Sequence, residues 1–304
     1  MRVFVTGATG FIGSVIVREL LSAGHQVLGL ARSDAAEAIL ASAGAEVHRG
    51  SLNDLDSLRS GAAASDGVIH AAFMNEAVRR GPSAFAEAGQ AEQRAIEAIG
   101  TVLAGSGRPF VVTSGTGLVS PGRLLTEEDT LDTSSAAAVR VPRNPEVALE
   151  LSARDVRVSV VRLPLSVHGE GDHGFVPALV SIARTKDVSA YPGDGSNRWP
   201  AVHRKDAAHL FRLALESAKA GSRFHAVADE GVPVCEIAGV IGRHLGVPVV
   251  SLPAEEAGDH FGWLGLFFSM DCPASSALTR ERLGWHPVQP ALLADLDQDH
   301  YFKA

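Results

Sequence analysis

Tyrosine, cysteine and methionine are scarce: the 304 residues hold only two, two and three of them. The two cysteines, Cys235 and Cys272, have no metal-ligand spacing around them, which excludes a disulfide framework and a cysteine-built zinc site. Positive charge is in deficit. Lys and Arg number 27 against 35 Asp and Glu, and the net charge of −8 speaks against nucleic-acid and membrane-surface partners. Long apolar runs are missing too: Phe261 to Met270 falls well short of the about 20 residues that cross a bilayer. Met1 to Thr6 carry neither a basic region nor a cleavage site, so a cytoplasmic protein is expected. What remains is an ordinary globular balance, 46% apolar and 20% charged, enough for one large α/β domain or two smaller ones.

The chain is organised around its first two dozen residues. Arg2 to Thr6 read as a β-branched strand, Gly7 to Gly13 as a glycine turn, and Ile12, Val15, Ile16 and Leu20 as one face of a helix. Strand, glycine turn and helix together are the context of a dinucleotide-binding fingerprint. Gly7 turns the chain off the strand, Gly10 lets a pyrophosphate approach the backbone, and Gly13 lets the helix pack close. The helix N-terminus then offers free N–H groups and a positive dipole end to the phosphates. Further strands follow at Gln26–Ala31, Ala45–Arg49, Gly67–Ala72 and Pro109–Ser114, with helices between them and a long one from Ser83 to about Ala104. Short connections between alternating strands and helices predict a doubly wound parallel sheet of the Rossmann type.

Thr6-Gly7-Ala8-Thr9-Gly10-Phe11-Ile12-Gly13 resembles the TGxxGxxG motif of the extended and atypical short-chain dehydrogenase/reductases, the NAD-dependent epimerase/dehydratase group. The resemblance reaches the late turn around Leu283-Gly284-Trp285 and Pro287. It implies a dinucleotide domain over residues 1–165, to which a strand and helix near 199–227 return. Residues 166–304 then form mainly a smaller C-terminal substrate-binding lobe. The resemblance further assigns Gly7, Thr9, Gly10, Phe11, Ile12 and Gly13 to the pyrophosphate and Leu52 to the adenine ring. Ala71, Ala72, Phe73, Thr113, Leu163 and Val167 are assigned to the ribose and nicotinamide. His70, late in an apolar strand, reads as a satisfied core histidine. The long helix after Ser83 implies a possible homodimer face.

The end of the second strand selects the cofactor. NAD-selective sites carry an acid there for the ribose hydroxyls. Here Arg32 and Ser33 stand in its place, a cation and a hydroxyl suited to a 2′-phosphate, with Asp34 expected to cap the next helix. NADP(H) is therefore expected to be preferred over NAD(H).

The catalytic pair is where the resemblance breaks. The family places a hydroxyl after the fifth strand, and Ser114 and Thr116 both qualify. Its YxxxK pair should follow, yet Tyr191 has Gly195 four residues on and Tyr301 lies near the last residue. Ser134 to Asn144, where the pair belongs, holds neither tyrosine nor lysine. Arg140 or Arg143 can take the lysine's place as a cation, but arginine is no general acid at neutral pH. A proton can come from His168, at the aromatic position of the R-x-x-x-V-Y-G segment, or through water; alternatively no proton is transferred. Asp172 and His173 without further ligands read as a solvated loop, and no metal site is expected. His203 and Asp206 read as structural, whereas Arg198 and Trp199 are expected to line the substrate pocket. The leading expectation is an NADP(H)-dependent oxidoreductase acting on a small, largely apolar carbonyl, imine or alcohol. The alternatives are a catalytically silent NADP(H)-binding sensor and a sugar-nucleotide epimerase or dehydratase.

Overall fold

A computed structural model describes residues 1–73, 76–118, 122–130 and 144–303. Six strands come first: β1 (Arg2–Thr6), β2 (Gln26–Ala31), β3 (Glu46–Arg49), β4 (Gly67–His70), β5 (Pro109–Gly115) and β6 (Arg157–Leu163). The chain then leaves through β7 (Ser166–His168), β8 (Ser189–Pro192) and β9 (Arg198–His203). It returns as β10 (Ser222–His225) and ends its strands with β11 (Asp229–Pro233) and β12 (Val249–Leu252). The main sheet has seven strands in the order β10-β6-β5-β4-β1-β2-β3, all parallel. Strand order reverses between β1 and β4, and in open parallel sheets the ligand crevice opens outside the strand ends at such a reversal.

Side chains along the central strands alternate between two buried faces, so these strands are largely apolar instead of striped, while the edge strands β3 and β10 carry polar residues. On one face Val3, Val5, Ile69, Val111 and Val161 pack under α1 (Gly13–Ser22), α2 (Asp34–Ser42) and a later helix at Arg204–Ser217. On the other, Phe4, Val68, Phe110, Val112 and Val160 meet α3 (Leu55–Ala63), α5 (Pro82–Leu103) and α6 (Asn144–Glu150), with the short α4 (Glu76–Arg80) preceding α5. Ser33, not Asp34, caps α2: its hydroxyl accepts the Ala36 N–H at 3.3 Å, while Asp34 and Glu37 both pair with Arg49. The cap position needs extended backbone, which Ser33 has and the helical Asp34 does not.

The second lobe has its own core. β7, β9 and β11 form a three-stranded sheet, β8 pairs with β12, and α7 (Phe175–Lys186) and α9 (Val234–Leu245) pack around Trp199, Phe261, Leu264 and Phe268. The helix Arg204–Ser217, α8, goes back to the main sheet while β9, which leads into it, stays with the lobe. α8 begins at Arg204 with His203 as its cap, so Asp206 sits inside the first turn. The Asp206 carboxylate accepts the N–H groups of Val288 and Gln289 at 3.1 and 3.0 Å, and Trp285 Nε1 donates to its carbonyl at 3.0 Å. Both segments that resemble the family late in the chain thus lock to one another.

Candidate active site

The fingerprint turn lies at the β1/β4 reversal. Gly7 adopts φ +67°, and a Cβ there would stand 2.8 Å from the backbone of Ala71 and Ala72. Gly7 is thus what lets the turn after β1 close on the turn after β4. At Gly13 a Cβ would fall 1.9 Å from the Gly7 carbonyl oxygen, whereas at Gly10 it would meet only that oxygen, at 3.1 Å. Gly10 therefore faces open space that a side chain would fill. Among the described residues, the backbone N–H groups of Phe11, Ile12 and Gly13 donate to no protein acceptor, and the first turn of α1 has neither a capping side chain nor an acid. This cradle fits a dinucleotide pyrophosphate by shape, by donors and by dipole.

At the end of β2, Arg32 is exposed and forms no ion pair or side-chain hydrogen bond among the described residues. Nearby acids are already committed, because Arg49 holds Asp34 and Glu37. Ser33 keeps its hydroxyl proton free while its oxygen caps α2. Leu52 is half-buried and packs against the core around Phe4 and Leu58, one side remaining open.

Thr113, Ser114 and Thr116 stand at the C-terminal end of β5. Thr113 Oγ1 donates to the His70 carbonyl at 2.9 Å, tying β5 to β4. Ser114 is half-buried, whereas Thr116 is fully buried with a hydroxyl that finds no partner among the described residues. Phe73 packs edge-on to Phe85, and Leu163 and Val167 sit half-buried against the main core. His70 is wholly enclosed, its Nδ1 2.9 Å from Thr6 Oγ1, and burial pushes its pKa down to about 4, so it stays neutral. Arg140 and Arg143 lie outside the described residues. Asn144, at the start of α6, donates to the Gly89 carbonyl at 3.0 Å and to Glu92, whose carboxyl burial pushes up to about 7.

Of three residues assigned to substrate or proton, two are enclosed and the third is ion-paired. His168 has no exposed surface; its Nδ1 lies 2.8 Å from Asp295 Oδ2, so it ties β7 to the C-terminal helix Leu292–Leu296. An enclosed imidazole held this way has no open path to a bound substrate. Trp199 is also fully buried, donating Nε1 to the Phe267 carbonyl at 3.0 Å, and belongs to the lobe's core. Arg198 is bound at both ends by Asp271, Nε to Oδ1 and Nη2 to Oδ2 at 3.0 Å each. The lobe instead presents half-buried Phe175, Trp263 and Phe267, whose rings stand 5.1–6.4 Å apart, with Arg79 5.5 Å over Trp263.

The loop 169–174 is not simply solvated. Asp172 accepts the Gly174 N–H at 2.7 Å and lies 3.4 Å from the Tyr301 hydroxyl, which accepts the Gly169 N–H at 3.0 Å. Burial pushes the Asp172 carboxyl up to about 6. His173 stacks edge-on to Phe11, bringing this loop against the fingerprint. The sequence gives little sign of Arg204, which crosses Phe11 from the start of α8; its only local mark is a cation directly after the Val202-His203 step.

The sequence pattern of the NAD dependent epimerase/dehydratase family matches residues 3–227. Uncharacterized protein C2A9.02 of Schizosaccharomyces pombe is 51% identical, the match covering 99% of this chain and 100% of that protein. A 2-alkyl-3-oxoalkanoate reductase of Stenotrophomonas maltophilia is 30% identical over 82% of this chain and 77% of its own. In fold, the chain is similar to DesIV, a dTDP-glucose 4,6-dehydratase from Streptomyces venezuelae solved with NAD bound. That likeness has a TM-score of 0.75 at 22% identity and covers 98% of this chain and 95% of that one. With its glycine cradle at the strand reversal and a match across most of its length, the chain belongs to the NAD dependent epimerase/dehydratase family, as an NAD(P)-dependent oxidoreductase of the extended short-chain dehydrogenase/reductase type.

Proposed function

We propose that the protein is an NADP(H)-dependent reductase that passes hydride between nicotinamide and a small, largely apolar carbonyl, imine or alcohol. The observation that carries the cofactor preference is Arg32, an exposed cation at the end of β2 with no acid partner among the described residues. Substrate polarity is supported by the half-buried aromatic wall and by Arg198, whose charge Asp271 already neutralises. The reductase relative named above acts on 2-alkyl-3-oxoalkanoates, a ketone class in keeping with such a wall.

In this reading the bound nicotinamide supplies or accepts the hydride. Ser114, the half-buried hydroxyl at the end of β5, orients the substrate oxygen. Arg143, outside the described residues, is the candidate for the family lysine's role as a cation. The proton arrives through water, because the Tyr301 hydroxyl is engaged with Gly169, Asp172 and Asp295 and His168 is enclosed. The missing tyrosine and lysine favour one other reading, a sensor that binds the cofactor without turnover.

The test is NADPH oxidation by the purified protein across ketones, aldehydes and cyclic imines, with NADPH and NADH binding measured in parallel. Turnover on one class is expected, with tighter NADPH binding; tight binding with no turnover on any class would replace the reductase by the sensor. Arg32→Ala is expected to weaken NADPH binding about 10- to 100-fold, the weight of a lost charge-assisted contact, and to leave NADH within about twofold. On the best substrate, Ser114→Ala is expected to lower kcat/KM by about 100-fold or more, the scale of a lost oxyanion donor, with cofactor affinity unchanged.

A further inference from the structure

Arg204 opens α8, and its side chain leaves the helix to lie across the fingerprint. The guanidinium stands 4.3 Å over the Phe11 ring. Nη2 donates to Ser14 Oγ at 3.0 Å and Nη1 to the Glu170 carbonyl at 2.6 Å. Gly169 and Gly171 make room for it: Cβ atoms there would stand 3.0 Å from Arg204 Cγ and Cδ and 3.4 Å from Nη1.

None of these partners carries a negative charge. Nε is enclosed and has no acceptor among the described residues. Arg198 is neutralised by Asp271, Arg212 by Glu19 and Glu216, and Arg49 by Asp34 and Glu37, whereas Arg108, Arg157 and Arg162 also lack an acid partner among the described residues but leave no enclosed nitrogen without an acceptor. Asp172 and Glu170 are near enough to be felt, but Asp172 is bonded to Gly174 and Glu170 offers only its carbonyl. Burial and the neighbouring Arg18 both work against the Arg204 charge. A half-buried cation without a counterion is costly in a folded protein unless an anion joins it. Beside it stand three N–H groups, on Phe11, Ile12 and Gly13, that also lack acceptors. Two independent shortages of negative charge therefore meet at one turn.

We propose that Arg204 is the counterion of the dinucleotide's pyrophosphate, reaching from the start of α8 to complete the anion site that the glycine turn opens. The proposal rests on the dinucleotide reading of the cradle and is independent of the NADP preference. It makes α8 part of the cofactor site, so that bound dinucleotide joins β1–α1 to the loop 169–174 and the lobe beyond it. Arg32 and Arg204 then have separate tasks: Arg32 distinguishes the 2′-phosphate, and Arg204 binds what NAD and NADP share.

Calorimetric titration of the full-length protein with NADH, NADPH, ADP-ribose and adenosine tests this, using wild type, Arg204→Gln and Arg204→Lys. Arg204→Gln is expected to weaken NADH, NADPH and ADP-ribose alike by about 10- to 100-fold and to leave adenosine within about twofold. Arg204→Lys keeps the charge without the fork and is expected to lose less than Arg204→Gln. Wild-type affinity should fall more steeply with salt than that of Arg204→Gln. If Arg204→Gln binds ADP-ribose as wild type does, or loses adenosine equally, Arg204 only pins Phe11 and the proposal is overturned. Should Arg204→Gln fail to fold, Arg204→Lys decides by the same comparison of ADP-ribose with adenosine. A wild-type protein that binds none of the dinucleotides overturns the cradle's reading first and this proposal with it.

Discussion

Gly10→Ala is expected to melt within about 2 °C of wild type and to bind dinucleotide about 100-fold more weakly, a loss of about 2.7 kcal/mol. Gly13→Ala is expected to lose both properties. The contrast follows from what each new methyl would touch. At Gly10 it meets one atom, the Gly7 carbonyl oxygen at 3.1 Å, in a backbone with negative φ. A shift of a few tenths of an ångström relieves that contact, and the narrower unfolded ensemble of alanine returns about 0.4–1 kcal/mol. The methyl nevertheless occupies the space that the pyrophosphate enters. At Gly13 it would lie 1.9 Å from the same oxygen and 2.7 Å from its carbon. There the whole of α1 must move off the end of β1, an overpacking cost of about 1–3 kcal/mol or more. Thermal unfolding of the unliganded proteins, alongside titration with NADPH and NADH, separates the two. A Gly10→Ala protein that binds like wild type would show that no phosphate approaches the turn at that point.

These glycines were legible in the sequence because their constraint is local: strand, turn and helix adjoin one another, and hard-sphere contact does the rest. The buried strands of the main sheet were legible for a similar reason, since two covered faces leave an apolar run. Strands β7, β8 and β11 carry no such signature. They are three to five residues long and exist through pairing with distant segments. The cap of α2 was missed by one residue because serine and aspartate are equally good caps, and only the backbone decides between them. Long-range side-chain partners were invisible. His168 suits acid chemistry by type, yet Asp295, 127 residues away, claims its ring. Arg204 reads as a plain surface charge until Ser14, 190 residues earlier, is seen beside it. Trp199 was placed in the pocket for its chemistry, but an indole of that size in a middle strand fills the lobe's core. Composition alone revealed the loss of the tyrosine and lysine pair, which contacts could not have shown more clearly.

Stability should depend on pH through two opposing sets of buried groups, and one substitution exposes the balance. Burial pushes His70 and His225 down to about 4, with the Arg162 charge adding to the shift at His225. Both stay neutral when folded, whereas in the unfolded chain they take up protons near pH 6.5. Their contribution is full above that pH and is lost as pH falls toward 4. His203, lowered by burial and by His168, adds to this side. Glu92 and Asp172 act the other way. Burial raises them to about 7 and about 6, so the folded protein holds protons that the unfolded chain releases near pH 4. Each therefore destabilises at neutral pH, and that penalty fades as pH falls. Between about pH 5 and 6 Glu92 and Asp172 offset His70 and His225, leaving in wild type the smaller fall on acidification that His203 and His260 contribute, and below that the carboxylates that partners hold down, Asp129 and Asp295 among them, add to it. Glu92→Gln removes one opposing group and keeps an amide that Asn144 can still meet. It should raise stability by on the order of 3 kcal/mol at pH 8 and by almost nothing at pH 4.5. The Glu92→Gln, Asp172→Asn double variant should then lose stability steadily on acidification, at about 2.7 kcal/mol per pH unit or more, the slope for the two protons that His70 and His225 take up on unfolding, with His203 adding to it. Urea unfolding at pH 8, 6 and 4.5 measures all three proteins. Parallel curves for wild type and Glu92→Gln would mean that Glu92 is ionised at no cost in the folded protein. The cost of burying its carboxylate would then be met by a neighbouring cation.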